Sequence, residues 1–146
     1  MAAAVRAIHS NTRGNVICEE AEIADNPWLR LRGLLGRRAL PAGRGMMIQP
    51  APSIHSAFMR FEFDAVFLSR DYEVLKLVAR MPPWRAHSAK GARRVLELSA
   101  GEIEQRGVEV GDVLAVVEGG PAGTFASTTR EASDARVGAP DSGARQ

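Results

Sequence analysis

The stretch "IHSAFMRFEFD", from Ile54 to Asp64, places a histidine, an arginine and two acids close together in sequence. A histidine can transfer a proton, a carboxylate can orient that histidine, and a planar guanidinium can bind an anion through two parallel hydrogen bonds. His55, Arg60 and Asp64 are therefore candidate ligand-binding residues, and Arg37 is a further candidate as an anion-binding group. The expected ligand is a small anionic molecule or another protein.

The same stretch also has a purely structural interpretation, because its residues alternate in the manner of a β-strand. In one uninterrupted strand, the odd-numbered positions from 55 to 67 share a face that is apolar except for His55. Arg60, Glu62 and Asp64 then lie on the solvated face, where Asp64 is a turn or strand cap. A straight strand also holds His55 and Asp64 about 30 Å apart, so a shared site requires a bend between them.

No complete catalytic constellation is visible elsewhere in the sequence. It contains no nucleophile elbow, Walker sequence, dinucleotide fingerprint or paired-carboxylate motif, and no cluster with metal-ligand spacing. We therefore expect a non-enzymatic binding or accessory domain with no metal and no cofactor. The alternative is a hydrolase or lyase in which His55 is the acid/base and Asp64 orients it.

Charge is distributed unevenly, although the formal net charge is only +2. Residues 26–61 contain six arginines and no acid, whereas residues 97–118 contain six acids and one arginine. Either these two regions dock on each other, or the basic segment binds an anionic ligand or RNA. Exposed aromatic residues interleaved with basic ones are scarce, so binding to nucleic acid is not expected, although RNA binding through residues 26–61 is kept as an alternative.

Length and composition predict one domain with a tail. A chain of 146 residues, of which 45% are hydrophobic, can build one core. From residue 119 onwards the sequence is dominated by Gly, Ala, Ser, Thr and Pro, with little apolar surface to offset the entropy of ordering. We therefore expect a single folded domain over residues 1–118 and a disordered tail over residues 119–146.

Cysteine usage and hydropathy restrict the compartment. Cys18 is the only cysteine, so neither an internal disulfide nor a Cys-based zinc site is possible, and we expect a buried thiol. The first residues lack an apolar signal core, and no stretch of 18 apolar residues occurs. These features favour a cytoplasmic protein that does not enter a membrane.

Local patterns predict a mostly antiparallel α+β fold. "AVRAIH" and "NVICEEAEIA" flank a turn and indicate an opening hairpin. "DNPWLRLRGLLGRR" has capping residues and helical apolar spacing, so it predicts one main helix that ends near Gly36. "SAGE" at Ser99–Glu102 fits a capping box for one short helix ending at Gly107. We expect a compact, strongly bent sheet or open barrel that contains these two helices.

The remaining strands are predicted from short apolar runs. These are "MMIQ", "SIHSAFM", "FDAVFLS", "EVLKLVA", "RRVLELS" and "GDVLAVVE". "MPPWRAHSAKGA" is predicted to be a loop in which two prolines stiffen the backbone beside Trp84. That tryptophan either covers one end of the sheet or is an anchor for a partner.

The order of these segments resembles the domain-of-unknown-function family 192. The similarity is carried by "RLRGLLGR", "GRGMMI", "HSAFMRFEFDAVFLSRDYEVL", "RRVLELSAG" and "GVEVGDVL", which lie within about residues 24–117. Met59 and Asp64 match the family's Met and Asp on either side of a polar turn, and Arg37 and Glu97 match its helix-ending Arg and strand Glu. The resemblance implies a bent α+β domain but no activity.

Because Glu97 lies between two leucines that share a face, we expect its side chain to be exposed.

Overall fold

Strands dominate the part of the chain that the computed structural model describes, which is residues 4–26, 38–57 and 59–118. The strands are β1 (Ala4–Ser10), β2 (Val16–Ala24), β3 (Arg44–Ile48), β4 (Ser53–His55), β5 (Phe63–Leu68), β6 (Val74–Met81), β7 (Ala86–Ser88), β8 (Arg94–Ser99) and β9 (Leu114–Glu118). In these ranges one short helix, α1 (Glu102–Arg106), lies between β8 and β9.

Seven strands form one sheet in the order β6-β5-β8-β3-β2-β1-β9, and β4 and β7 form a separate ribbon. Neighbours are antiparallel except β2 and β3, which are parallel. The sheet is strongly curled into a half-barrel, so that the starts of its edge strands, β6 and β9, approach each other. There the N–H of Val74 donates to Asp112 O at 2.8 Å and the N–H of Leu114 donates to Tyr72 O at 3.0 Å. The prediction of a bent, mostly antiparallel sheet is confirmed.

Two apolar clusters of buried side chains pack against the curled sheet, one on each face. The inner cluster includes Ile8, Ile17, Met47, Val66, Leu96 and Ile103. The outer cluster includes Met46, Phe63, Phe67 and Val95, together with Leu40, Ile54 and Met59 from the connecting segments. Strand β5 lies between the two clusters, so all six of its residues are buried. This explains why "FDAVFL" reads as an almost continuous apolar run.

The two predicted helices have different outcomes. Helix α1 lies close to its predicted position and ends at Gly107, whose φ of 67° suits glycine. Its N-cap residue is Gly101, which has no side chain that could cap the helix, so the expected capping box at Ser99–Glu102 is not formed. The predicted main helix falls on residues 27–37, which lie outside the described residues. The predicted tail, residues 119–146, also lies outside them.

The stretch "IHSAFMRFEFD" does not form one strand. Strand β4 ends at His55 and β5 begins at Phe63, and a turn follows β4 in which the N–H of Met59 donates to Ser56 O at 3.1 Å. The bend that a shared site would require is therefore present. Part of the predicted "MPPWRAHSAKGA" loop is also a strand, since Ala86–Ser88 pairs with β4.

The expectation that Glu97 is exposed was wrong, because this residue is only 5% exposed. The prediction assumed that one face of β8 is solvated. In the structure, Leu96 and Leu98 belong to the inner cluster, while Val95 belongs to the outer one. Glu97 shares the outer face with Val95, and that face is covered by connecting segments rather than by water.

Candidate functional site

Asp64 has the most completely defined surroundings of the candidate residues. It is 0% exposed, and its carboxylate accepts three hydrogen bonds from backbone N–H groups. Oδ1 accepts from Arg80 at 2.8 Å, while Oδ2 accepts from Gly101 at 3.1 Å and from Ile103 at 2.9 Å. A side chain from β5 therefore caps α1 and holds β6, which favours the cap interpretation of Asp64 over the ligand-binding one.

His55 and the Asp64 carboxylate lie on opposite sides of the sheet. Phe63 and Ala65 flank Asp64 in β5 and pack in the same outer cluster as Ile54. Side chains alternate along a strand, so Asp64 points away from that cluster, toward the inner side where it binds α1. His55 follows Ile54 in β4 and is exposed. The structure therefore does not bring His55 and Asp64 together as an acid/base pair.

Ser56 organises the loop that follows β6, although its residue type and spacing did not single it out. It is 0% exposed, and its Oγ donates to Pro82 O at 2.6 Å and accepts from the N–H of Arg85 at 2.9 Å. Its backbone N–H donates to Arg85 O at 2.7 Å, and its carbonyl accepts from the N–H of Trp84 at 3.0 Å. One buried serine thus fixes the whole Pro82–Arg85 loop.

Trp84 is held by this loop in an uncommon conformation. Its φ is 63°, in the left-handed region that residues with a Cβ seldom adopt. The residue is 61% exposed. Large aromatic residues normally bury much of their surface. The loop therefore presents an aromatic surface outward on a fixed backbone.

His55 and Arg60 adjoin the same loop. His55 pairs with Ala86 in the β4–β7 ribbon, directly after Arg85, and the turn between Ser56 and Met59 leads to Arg60. His55, Arg60, Trp84 and Arg85 are all exposed. We call this surface the Trp84 corner; it consists of His55, Arg60, Trp84 and Arg85.

Two of the four candidate residues thus share one surface. His55 and Arg60 belong to the Trp84 corner, Asp64 is buried at α1, and Arg37 lies outside the described residues. The two prolines and the tryptophan of "PPWR" were the signal in the sequence for this surface. No signal identified Ser56, because its role depends on hydrogen bonds to residues about 26 to 29 positions away.

Three acids at the acidic end of the domain form ion pairs with arginines that lie outside residues 26–61. Arg13 Nε donates to Asp112 at 2.7 Å and its Nη2 donates to Glu109 at 2.6 Å. Arg106 binds Glu102 at 2.7 Å, and it binds Glu19 of β2 at 2.8 Å. These ion pairs join three acids of residues 97–118 to Arg13 and Arg106; whether other acids of that end dock on residues 26–61 stays a prediction.

These contacts fix the ionisation states of several groups. The hydrogen bond from Arg13 lowers the pKa of Asp112, and the hydrogen bond from Arg106 lowers the pKa of Glu19. Burial raises the pKa of the Cys18 thiol to about 12, which agrees with the expected buried thiol. Near neutral pH the two acids are ionised and the thiol is protonated, so none of the three is poised for proton transfer.

Within residues 4–26, 38–57 and 59–118, no helix is both long and apolar enough to span a membrane. His55 and His87 lie on the paired strands β4 and β7, and His9 lies on β1. In the same described ranges, no three His, Cys, Asp or Glu side chains come together in a group that could hold a metal ion.

Solved structures with the same fold are known. A crystal structure of a protein from Sinorhizobium meliloti 1021, provisionally described as a transcription regulator, has a TM-score of 0.71 and 22% sequence identity, and the match covers 80% of this chain and 96% of that one. A protein of unknown function from Novosphingobium aromaticivorans DSM 12444 has a TM-score of 0.67 and 22% identity, with coverage of 76% and 84%. At these identities the likeness extends to the fold alone.

Sequence comparison supplies the family. A curated UPF0127 protein of Pyrococcus furiosus is 36% identical over 111 residues, which cover 70% of this chain and 91% of the relative. The model of the family DUF192, described as "Uncharacterized ACR", matches residues 8–116. These residues include every strand and the helix described above except for the outermost parts of β1 and β9. The chain therefore belongs to DUF192, as the order of its sequence segments had indicated.

Proposed function

We propose that this protein is a non-enzymatic binding domain that recognises an acidic segment of a partner protein through the Trp84 corner. The observation that carries the proposal is the presentation of Trp84, which is 61% exposed on a left-handed backbone that buried Ser56 holds in place. The small-ligand form of the expected function is less well supported at this surface, because Asp64 is buried at α1 and is not part of it.

Backbone strain supports a functional role for the loop. A residue with a Cβ in the left-handed region costs roughly 1–2 kcal/mol relative to the right-handed one. Such conformations persist where surrounding contacts fix them, and they concentrate at functional positions. Here Ser56 supplies fixing contacts, at 2.6 Å to Pro82 O, 2.9 Å from Arg85 N and 3.0 Å from Trp84 N.

The chemistry of the corner favours an acidic protein partner. Tryptophan and arginine are the residues that most often dominate the energy of protein interfaces. Arg85 lies in the loop, Arg60 follows the turn between Ser56 and Met59, and both residues are exposed. Glu62 is the nearest acid in sequence, so the corner has a positive balance. A loop that is already fixed loses little conformational entropy on binding, which favours its use as an anchor.

The enzymatic alternative is weaker on geometric grounds. It requires Asp64 to orient His55, whereas the contacts of Asp64 are with three backbone N–H groups on the opposite side of the sheet. The RNA-binding alternative depends on residues 26–61. Three of its six arginines, at positions 30, 32 and 37, lie outside the described residues, and Arg44 is in an ion pair with Glu20 at 3.2 Å.

The proposal is tested by selecting peptides from a displayed random library on the full-length protein. We expect the recovered peptides to be enriched in Asp and Glu around an apolar residue. Their Kd should rise about tenfold or more with Trp84→Ala and with Arg85→Ala, as for an interface anchor. Arg70→Ala is the matched control, since Arg70 is also exposed but lies at the turn between β5 and β6.

Two results would overturn the proposal. One is a selection that yields no acidic peptides. The other is a set of acidic peptides that bind Trp84→Ala and Arg85→Ala as tightly as the wild-type protein. Because these substitutions replace exposed side chains, circular dichroism of each variant should first show an unchanged fold.

A further inference from the structure

A cleft of about 410 Å³ lies at the end of the sheet where β3 finishes and β8 begins. It is separate from the Trp84 corner and contains none of the candidate residues chosen from the sequence. Its lining residues are Asp25, Gln49, Pro50, Arg70, Arg93 and Arg94. Three arginines and one aspartate give this lining a formal charge of +2, so it attracts anions.

Arg94 is fixed in this cleft before any ligand arrives. Its Nε donates to Gln49 Oε1 at 3.0 Å, and its Nη1 donates to Ser69 O at 3.1 Å and to Arg70 O at 2.9 Å. The guanidinium lies 3.9 Å from the centre of the Tyr72 ring. A guanidinium has five N–H groups, so within the described residues Nη2 keeps two for another acceptor. Such preorganisation reduces the entropy lost when an anion binds.

Arg70 and Arg93 add two adaptable cations to this fixed one. Both side chains are exposed, and neither forms an ion pair with a carboxylate in the described part of the chain. The backbone of Arg93 is nevertheless anchored, because its N–H donates to Leu68 O at 2.8 Å and its carbonyl accepts from Ala51 at 2.9 Å. The carbonyl of Arg70 accepts from Arg94 Nη1 at 2.9 Å. The side chains can therefore close on an anion while the frame stays in place.

We propose that this cleft binds a small organic phosphate ester. A phosphate monoester carries close to two negative charges at neutral pH and three strong acceptor oxygens, which match the formal charge of the lining and the three guanidinium groups. The cleft volume of about 410 Å³ is larger than a phosphate group needs and falls in the range of roughly 300–1,000 Å³ that is typical of small-molecule sites. The ring of Pro50 provides an apolar wall for the organic part, and Asp25 can accept a hydrogen bond from a hydroxyl group of the ligand.

This site is independent of the proposed partner surface. The β4–β7 ribbon separates the two, since its Ser53–Ser88 end leads to the cleft and its His55–Ala86 end leads to Trp84. The variants that test one surface therefore serve as controls for the other. Loss of peptide binding at Trp84 would leave the cleft unaffected, and loss of phosphate binding would leave the peptide surface unaffected.

The experiment is a titration of the ¹⁵N-labelled full-length protein, followed by its backbone amide shifts. The probe is glycerol 3-phosphate, with glycerol, acetate and inorganic phosphate as comparison ligands. We expect saturable shifts at the amides of Gln49, Arg70, Arg93 and Arg94, with tighter binding of the ester than of any comparison ligand. Arg70→Ala and Arg93→Ala should each weaken binding about tenfold, the usual effect of removing one charge-assisted hydrogen bond, and Arg85→Ala should not.

Arg94→Ala is not used as the test, because its bonds to Gln49 and to two carbonyls give it a structural role. A phosphate monoester could also reach the cleft as a lipid headgroup, so a parallel arm measures sedimentation with phosphatidylcholine vesicles that do or do not contain phosphatidic acid. Binding only to the vesicles assigns the headgroup source, and binding to the soluble ester assigns a metabolite. The proposal is overturned if neither probe binds, if acetate binds as tightly as the ester, or if Arg70→Ala and Arg93→Ala bind like the wild-type protein.

Discussion

Asp64 Oδ1 accepts a 2.8 Å hydrogen bond from the backbone N–H of Arg80, and this contact coincides with a bulge between two neighbouring strands. Phe63 pairs with Met81 and Ala65 pairs with Val78, so β6 has an extra residue opposite Asp64. Arg80, in that bulge, has a φ of 49°. The carboxylate thus satisfies a backbone donor that the interrupted ladder cannot.

The first prediction concerns the stability that this carboxylate supplies. Asp64→Ala leaves three backbone N–H groups at Arg80, Gly101 and Ile103 without their acceptor in a buried place. Each such group costs roughly 1–3 kcal/mol, so we expect the free energy of unfolding to fall by about 3 kcal/mol or more. Asp64→Asn keeps one acceptor oxygen and should lose less. Urea denaturation of both variants measures the difference, and unchanged unfolding midpoints would contradict the cap role.

The second prediction concerns acid stability. The hydrogen bond from Arg13 lowers the pKa of Asp112 below its ordinary value of 3.8, so its folded-state pKa is lower than its unfolded-state pKa. The resulting stabilisation is fully present above pH 3.8 and is lost as the pH falls through the folded-state pKa. Asp112→Asn should therefore be less stable than the wild-type protein at neutral pH, and the difference should shrink in strong acid. A difference that stays constant in urea titrations across this range would refute the linkage.

The third prediction concerns Cys18, whose thiol is buried and donates to Gly43 O at 3.4 Å. Burial raises its pKa to about 12, so almost no thiolate is present at neutral pH. We expect iodoacetamide to leave the native protein unmodified and to label one site after denaturation in urea. Mass spectrometry counts the adducts, and rapid labelling of the native protein would show that β2 opens locally.

The fourth prediction separates stability from binding at Trp84. Asparagine tolerates the left-handed region better than tryptophan, so Trp84→Asn should leave the free energy of unfolding unchanged or raise it by up to about 1 kcal/mol. The same change should abolish binding of the selected acidic peptides. Trp84→Phe is the matched control, because it keeps both the strain and an aromatic surface. A clear loss of stability in Trp84→Asn would indicate that the ring is needed for folding instead.

Local signals in the sequence predicted the elements that depend on near neighbours. The opening hairpin, the apolar run that forms β5 and the end of α1 at Gly107 all follow from residues a few positions apart. The parallel pairing of β2 with β3 and the insertion of β8 between β3 and β5 did not follow, because both depend on contacts between distant segments. The wrong expectation for Glu97 has the same cause, since burial of its face depends on segments that connect other strands.

The candidate site shows the same difference between features that depend on near neighbours and features that depend on distant segments. The sequence left two interpretations of Asp64 open, a cap and a ligand-binding residue. Local patterns could not distinguish them, because the hydrogen-bond partners of Asp64 are 16 to 39 positions away. His55 and Arg60 reach one surface through a turn that alternation alone could not reveal. Arg93 and Arg94 read as the polar start of a strand, whereas the fold places them with Gln49 and Arg70 around a cleft.

The pairing of β1 with β9 has a consequence for biosynthesis. Ser10 and Leu114 are partners in the register, so β1 is synthesised well before β9, the strand with which it pairs. At about 5–20 residues per second, the roughly 100 residues between them take about 5–20 s to synthesise. During that time one edge of β1 exposes its N–H and C=O groups to other nascent chains. The hairpin of β1 and β2 therefore carries an unpaired strand edge until β9 has been synthesised.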